Sequence, residues 1–475
     1  MNIKVVTSFM WKFMERGSAQ IISLVVQIIL ARMIEPEQFG ALAILMVFIN
    51  ISNVFVQKGF SSSLIRKSEI CDDDYNTAFV VSEIIAIIIV ILLCTFSEYI
   101  EKFYGIFGLG DCLRVISVVL IAGALYSVQN AELVRKMKFK QIFVRSTIAS
   151  VVSGVAGILA AYSGMGLWAL VIQTVSQQVL ICITTMFICE WKPKFRYSSK
   201  SFHSMFSFGS QILVAELISI GVENLRTLII GKVYTSAQLA YYDRGQLYPA
   251  TAMRNIYDAL QNVLLPVFSK EQDNRKGLSN KVNLSILLAN YITFPVFVGF
   301  AAIATPFVEL FLTEKWLPCV PFLKIFCLYQ IAFPLYGILK QCLFALGKGA
   351  EVLKLEVKRG IFFVIAIVLG VFVSVYTTAI LSCVAMYLTT FNFIVVLNKE
   401  IQLDLKGIIL QSIKMLVQCI LMYIVVSLLI RQLDMSNIYL LIIGMLAGSL
   451  IYLLSSVFFR NEAFKVIVSW INLKK

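Results

Sequence analysis

The sequence predicts an all-α integral membrane protein of about fourteen transmembrane helices, and three observations carry that expectation. Of 475 residues, 59% are hydrophobic and 14% are charged, with a mean hydropathy of +0.85, more apolar surface than a soluble core hides. The apolar residues fall into long blocks, such as 84–96, 361–375 and 408–430, several of which approach the length a helix needs to cross hydrocarbon. The blocks lack the short alternating segments of a membrane barrel, so helices must satisfy the backbone.

Taken in order, charged or turn-rich breaks leave helices near 8–33, 38–57, 77–97, 113–133, 142–162, 166–189 and 207–230. The series continues near 237–265, 282–304, 319–345, 357–376, 379–397, 408–430 and 437–458, followed by a tail. No small-residue cleavage site follows the first apolar stretch, Ile21 to Ile34, which reads as a retained anchor. The ten cysteines are scattered singly and mostly within apolar runs, as small core residues are, rather than as disulfides or metal ligands. The one histidine, His203, falls in a polar connection and has no histidine partner for a zinc site or a triad.

Basic residues set the expected orientation. With a cytoplasmic N-terminus, the inner connections carry Arg135, Lys136, Lys138 and Lys140, then Lys192, Lys194, Arg196 and Lys200, then Lys348, Lys354, Lys358 and Arg359. Outer connections carry only isolated cations such as Lys102, Lys315 and Arg431, so both termini are expected in the cytoplasm. The net charge of +14 is then a property of loops facing an anionic leaflet and calls for no nucleic-acid partner. The longest outer connection, Ser97 to Asp111, is too short to fold as a domain, which disfavours a membrane polymerase, ligase or glycosyltransferase.

A weak internal repeat organises the chain. The turn Ala31-Arg-Met-Ile-Glu-Pro-Glu-Gln-Phe-Gly40 aligns with Gly231-Lys-Val-Tyr-Thr-Ser-Ala-Gln-Leu-Ala240 at an offset of 200 residues (238 − 38), matching Arg32 to Lys232 and Gln38 to Gln238. Shared helix-end chemistry would produce the same likeness. As a true repeat it implies two six-helix lobes in parallel orientation plus two C-terminal helices, with lobes at 1–200 and 201–400 and the last helices and tail at 401–475.

Ionisable residues inside spans are costly and normally face a cavity or a partner. The first helix carries Lys12, Glu15 and Arg16; the seventh carries Glu216, Glu223 and Arg226; the eighth carries Asp243, Arg244, Arg254 and Asp258. Such cations suit the phosphate oxygens of an anionic substrate, with Arg16, Arg226, Arg254, Lys12 and Arg244 as candidate contacts. Glu216, Glu223 and Asp258 are candidates for coupling to an ion. The competing readings are snorkelling for Lys12, solvation for Asp243 and Arg244, and buried structural ion pairs for the deeper set.

A different set of residues carries a family likeness. The Ala31-Arg32 and Pro36-x-x-Phe39-Gly40 element, Gly59-Phe60, Phe103-Tyr104, Gly164 through Val171, Trp191-Lys-Pro193, Asn224, Tyr241 through Leu247 and Pro266 through Ser269 stand in the order of the Wzx-like polysaccharide exporters. The chain resembles these members of the MOP superfamily, in register over about its first 270 residues. One departure is Glu223, where such exporters are expected to have Asp; the charge is kept.

The resemblance implies a flippase of a bacterial plasma membrane, not an enzyme. Its substrate would be an undecaprenyl-diphosphate-linked oligosaccharide, carried to the outer leaflet by alternating access for O-antigen, capsule or lipopolysaccharide synthesis. No bound cofactor is implied; a Na+ or H+ gradient would drive it, and membrane lipids and glycan assembly proteins would be its partners. A drug or cation antiporter of the same superfamily, a glycan polymerase or ligase, and a non-transporting scaffold are the alternatives. The basic set counts against the antiporter, and a scaffold has no use for deep charges.

Overall fold

The computed structural model describes the backbone over residues 3–67 and 70–472. Side chains are described there except at 3–10, 12, 13, 15, 16, 58, 59, 62, 66, 207, 208, 211, 212, 215, 218, 219, 222, 258, 259, 262 and 470–472. All the regular secondary structure among the described residues is helical, and the chain divides into two compact units, Met1–Ala240 and Tyr241–Lys475.

The first unit begins with α1 (Ile3–Met33) and α2 (Pro36–Asn53). Glu35 is extended and Pro36 fills the first helical position, where a missing N–H costs nothing. The second span was expected to stop at 57, but the helix runs on through a π turn, Val54–Lys58, into α3 (Gly59–Arg66). Gln57 reaches Asn53 across 2.7 Å and lies where a Cβ on Gly123 would be 2.5 Å from its Nε2. A glycine on the facing helix therefore admits a polar side chain at the irregular turn.

Helix α4 (Asp72–Tyr104) opens on three aspartates, favoured at a helix N-terminus, and closes on Gly105 at φ 69°. Lys67 pairs with Asp74 at 2.7 Å and pins the chain leaving α3 to the start of α4. Helix α5 (Leu109–Arg135) follows at once, because the Glu101 carboxylate accepts the Gly108 and Gly110 N–H groups at 3.2 and 2.8 Å. The outer connection expected over Ser97–Asp111 is thus only 105–108, both flanking helices being longer than hydropathy indicated. Ile84, Ile87, Ile88 and Ile91 stand exposed along α4, as lipid-facing side chains do.

Helices α6 (Phe139–Tyr162) and α7 (Leu167–Ile188) are joined through Gly164 and Gly166, both at positive φ. Helix α8 (Ser199–Val233) completes the unit and packs on α2, α3 and α4. His203, expected in a connection, is exposed on the first turns of α8.

Helix α9 (Ser236–Ser269) leads into the second unit, followed by α10 (Arg275–Ala302), α11 (Ala304–Leu312) and a 3-10 turn, Glu314–Cys319. The stretch expected as a plain connection before 319 is thus largely helical and buries Trp316 completely. Next come α12 (Val320–Ala345), α13 (Gly349–Val371), α14 (Val375–Ile401), α15 (Leu405–Gln432) and α16 (Asn437–Phe458). Phe268, Val282, Leu339, Met386 and Phe393 form part of the core that joins α9, α10, α12 and α14. The expected tail contains one more helix, α17 (Glu462–Asn472).

Among the described residues, ten helices are long and apolar enough to cross a membrane. The other long helices are α1, α8, α9 and α13, of 31, 35, 34 and 23 residues. Each carries several ionisable residues, and three of them are the helices the sequence marks as charged at membrane depth.

The two copies of the turn motif have the same local structure. Helices end at Met33 and Val233 and restart at Pro36 and Ser236, keeping the offset of 200 (233 − 33 and 236 − 36). The closing bonds correspond too: Ile34 N–H to Leu30 O and Tyr234 N–H to Ile230 O are both 2.9 Å. Arg32 and Lys232 are exposed, while Phe39, Gly40, Leu239 and Ala240 are buried. Burial and bonding thus repeat where residue identity does not.

Candidate functional site

The charged positions on α8 and α9 are placed by helix geometry. Glu216 and Glu223 are two turns apart on α8, the first half-buried and the second exposed, and Arg226 is half-buried one turn further on. On α9, Asp243 is half-buried and Arg254 is exposed. Arg244 is only 7% exposed and sets its guanidinium 5.6 Å from the centre of the Trp316 ring. Arg244 therefore points into the core of its unit, whereas Arg254, ten residues on (254 − 244), points outward. The side chains of Lys12, Glu15, Arg16 and Asp258 lie outside the described residues.

Two charged clusters that the sequence did not single out stand out in the structure. Arg145 on α6 is 1% exposed and donates to Thr185 Oγ1 at 2.9 Å and to Asn130 Oδ1 at 3.2 Å, with its guanidinium 4.8 Å from the Tyr126 ring centre. One cation thereby ties α5, α6 and α7 together. On α12 and α13, Lys340 meets Glu356 at 2.9 Å and Arg359 meets the same carboxylate at 2.8 Å. Tyr336 donates its hydroxyl to Glu356 and lies under both cations. Its charge is one carboxylate against two cations. Its linear traces are Glu356 three residues before Arg359 and Tyr336 four residues before Lys340; nothing in the sequence joins the two pairs, which lie on different helices.

Beyond the spans, a third ionic group links the ends of α5 and α7. Lys136 bridges Glu132 and Glu190, each at 2.6 Å, and Lys138 also contacts Glu190. The hydrogen bonds from Lys136 and Lys138 hold the Glu190 carboxyl down at about 2.

The first unit also holds an aromatic bowl. Phe48, Phe96, Tyr99, Phe103, Tyr104 and Leu228 line a hollow of about 470 Å³ beside α8. Lys232 donates to the Phe103 carbonyl and stands 4.1 Å from the Phe103 ring centre. Ring faces next to a cation fit sugars or an isoprenoid tail. Composition alone could not separate these rings from ordinary interface aromatics.

Comparison with known proteins matches this architecture. The chain is 22% identical over 463 residues to the succinoglycan biosynthesis transport protein ExoT of Rhizobium meliloti, covering 95% of this chain and 92% of the relative. It is 22% identical to the lipopolysaccharide biosynthesis protein WzxC of Escherichia coli, covering 74% and 71%. Among solved structures, the inward closed lipid II flippase MurJ superposes with a TM-score of 0.74 at 16% identity, covering 95% of this chain and 99% of that one. An inward-facing multidrug MATE transporter of the MOP superfamily superposes at 0.60 and 15% identity, covering 81% and 94%. The likeness thus extends well past the first 270 residues in which it was legible. A family model described as polysaccharide biosynthesis protein matches residues 29–321, more than half of the chain, and the chain belongs to that family.

Proposed function

We propose that the protein is a flippase that carries an undecaprenyl-diphosphate-linked oligosaccharide from the inner to the outer leaflet of a bacterial plasma membrane by alternating access. It acts as a transporter rather than an enzyme, in the assembly of a surface polysaccharide. Family membership and the names of its relatives support this class of substrate.

The observation that carries the reading is the exposure of Glu223 and Arg254, with Arg226 half-buried, within the long helices α8 and α9 of a chain otherwise built for lipid. A charge facing hydrocarbon at the midplane costs from about 2.5 to over 10 kcal/mol, so exposed charges at that depth mark a polar path. A diphosphate crossing the same barrier needs cations along the way, and guanidinium groups bind its oxygens in pairs. Arg16, Arg226 and Arg254 are the proposed head-group contacts, with Lys12 and Arg244 as secondary cations. Glu216, Glu223 and Asp258 are the proposed sites of coupling to a Na+ or H+ gradient. Two six-helix lobes with two added helices, both termini in the cytoplasm, complete the proposal.

The test is to replace Arg16, Arg226 and Arg254 singly with Ala and to measure surface glycan alongside the amount of protein in the membrane. Loss of glycan at unchanged protein level is expected. Normal glycan from all three variants would sink the basic path.

A further inference from the structure

A cavity of about 370 Å³ lies among α10, α15 and α17 of the second unit, apart from every residue assigned above to transport. Its polar lining accepts hydrogen bonds. Asn290 and Gln411, 3% and 7% exposed, each hold a buried side-chain oxygen with no donor, as does Asn283. The Asn290 amide is oriented by its own bond, Nδ2 donating to Ser412 Oγ at 3.2 Å, which leaves Oδ1 as the orphan. Asp404 and Glu462 add two carboxylates to the rim.

Three unpaired buried acceptors are a standing penalty that a donor entering the cavity removes. Among the described residues the lining contains no Lys or Arg, although the chain carries 41 of them. An anionic head group therefore has no counterion here, and a cationic donor has several. The rest of the wall is largely Leu, Ile, Met and Val, and Leu410 at its edge is 54% exposed, on the lipid-facing side of α15. The space exceeds what a bare metal ion fills and falls within the range of organic ligand sites.

The geometry points to a regulatory or structural lipid site in this cavity that takes the primary ammonium head group of a zwitterionic phospholipid. The ammonium donates to the amide oxygens of Asn290, Gln411 and Asn283, near the carboxylates of Asp404 and Glu462. The site is separate from the transported substrate, so it stands or falls independently of the flippase reading.

The test uses the full-length protein purified in detergent, with native mass spectrometry and thermal unfolding after addition of phosphatidylethanolamine, phosphatidylglycerol or NaCl alone. Retention of phosphatidylethanolamine in preference to phosphatidylglycerol is expected. The double variant Asn290→Leu, Gln411→Leu keeps the apolar volume while removing two acceptors, and is expected to weaken that retention about tenfold or more. A second variant, Asp404→Asn with Glu462→Gln, retains the amides and is expected to narrow the preference between the two lipids. Equal retention of both lipids by the unaltered protein, or undiminished retention by the Leu variant, overturns the site. Protection by NaCl equal to that by the lipid also overturns it, in favour of an inorganic cation.

Discussion

Gly40 and Ser236 meet backbone to backbone: a Cβ built on Gly40 would lie 1.8 Å from the Ser236 carbonyl oxygen and 2.5 Å from its carbonyl carbon. These residues belong to the first turns of α2 and α9, the helices that begin after the two copies of the repeated turn. The first copy thus packs directly on the second, and the glycine at its end sets how closely they approach.

Gly40→Ala is accordingly expected to lower the thermal midpoint in detergent and the amount of protein in the membrane, because the carbonyl it meets cannot swing away as a side chain would. Such overpacking typically costs about 1–3 kcal/mol or more. Gly17→Ala is the control. A Cβ there meets nothing within 4 Å among the described residues, and alanine favours a helix by about 1 kcal/mol.

Arg145→Met is expected to destabilise the first unit by about 1–3 kcal/mol, by leaving Thr185 and Asn130 without their donor. Arg145→Lys is expected to be no better, since an ammonium keeps the buried charge but cannot span both acceptors and stack on Tyr126. Thermal unfolding of the two variants checks the order; full recovery by Lys would show that charge alone matters there.

Within the α12–α13 cluster, Glu356→Gln is expected to be more damaging than Lys340→Met. Removing the carboxylate leaves Lys340 and Arg359 facing each other across Tyr336, whereas removing Lys340 leaves Glu356 with Arg359. Equal midpoints for the two variants would mean that the shared carboxylate does not organise the cluster.

Glu190 gives a pH signature. Its carboxyl is held down at about 2 by Lys136 and Lys138, against 4.5 for an ordinary glutamate. A depressed folded value means that the stabilisation is present above about 4.5 and is lost as the pH falls toward 2. The midpoint difference between the unaltered protein and Glu190→Gln is therefore expected to be nearly constant from neutrality to about pH 4.5, and to shrink only on further acidification. A difference already gone at pH 5 contradicts the ion pairs.

For transport, Arg226→Lys and Arg254→Lys are expected to restore only part of the surface glycan lost in the Ala variants. An ammonium retains the charge but not the paired hydrogen bonds of a guanidinium. Complete rescue by Lys at both positions would assign these residues a purely electrostatic role.

Hydropathy made the helical class and most helix positions legible, since a span must be apolar for longer than any soluble helix requires. It misjudged ends and connections. The segment after 97, the short helices between 304 and 319 and the helix after 458 all mix polar residues with apolar ones, so their helicity depends on capping and burial: Glu101 capping α5, and Trp316 enclosed in the core. The charged residues of α8 and α9 were visible because charge within an apolar block is conspicuous. Which way each one turned was not visible, as Arg244 on Trp316 and the exposed Arg254 show.

By itself, the sequence determined that this chain lives in a membrane as a bundle of helices, that α1, α8 and α9 carry charged residues within largely apolar stretches, and that a turn recurs after 200 residues. Those properties are written in composition and spacing along one strand of chain. Only the tertiary structure decided that Gly40 bears on Ser236, that one carboxylate at Glu356 holds two cations, and that Asn290 and Gln411 share a cavity. Each of these joins residues on different helices, and the contact depends on the rotation and depth of both helices, which apolar packing sets and linear order does not record.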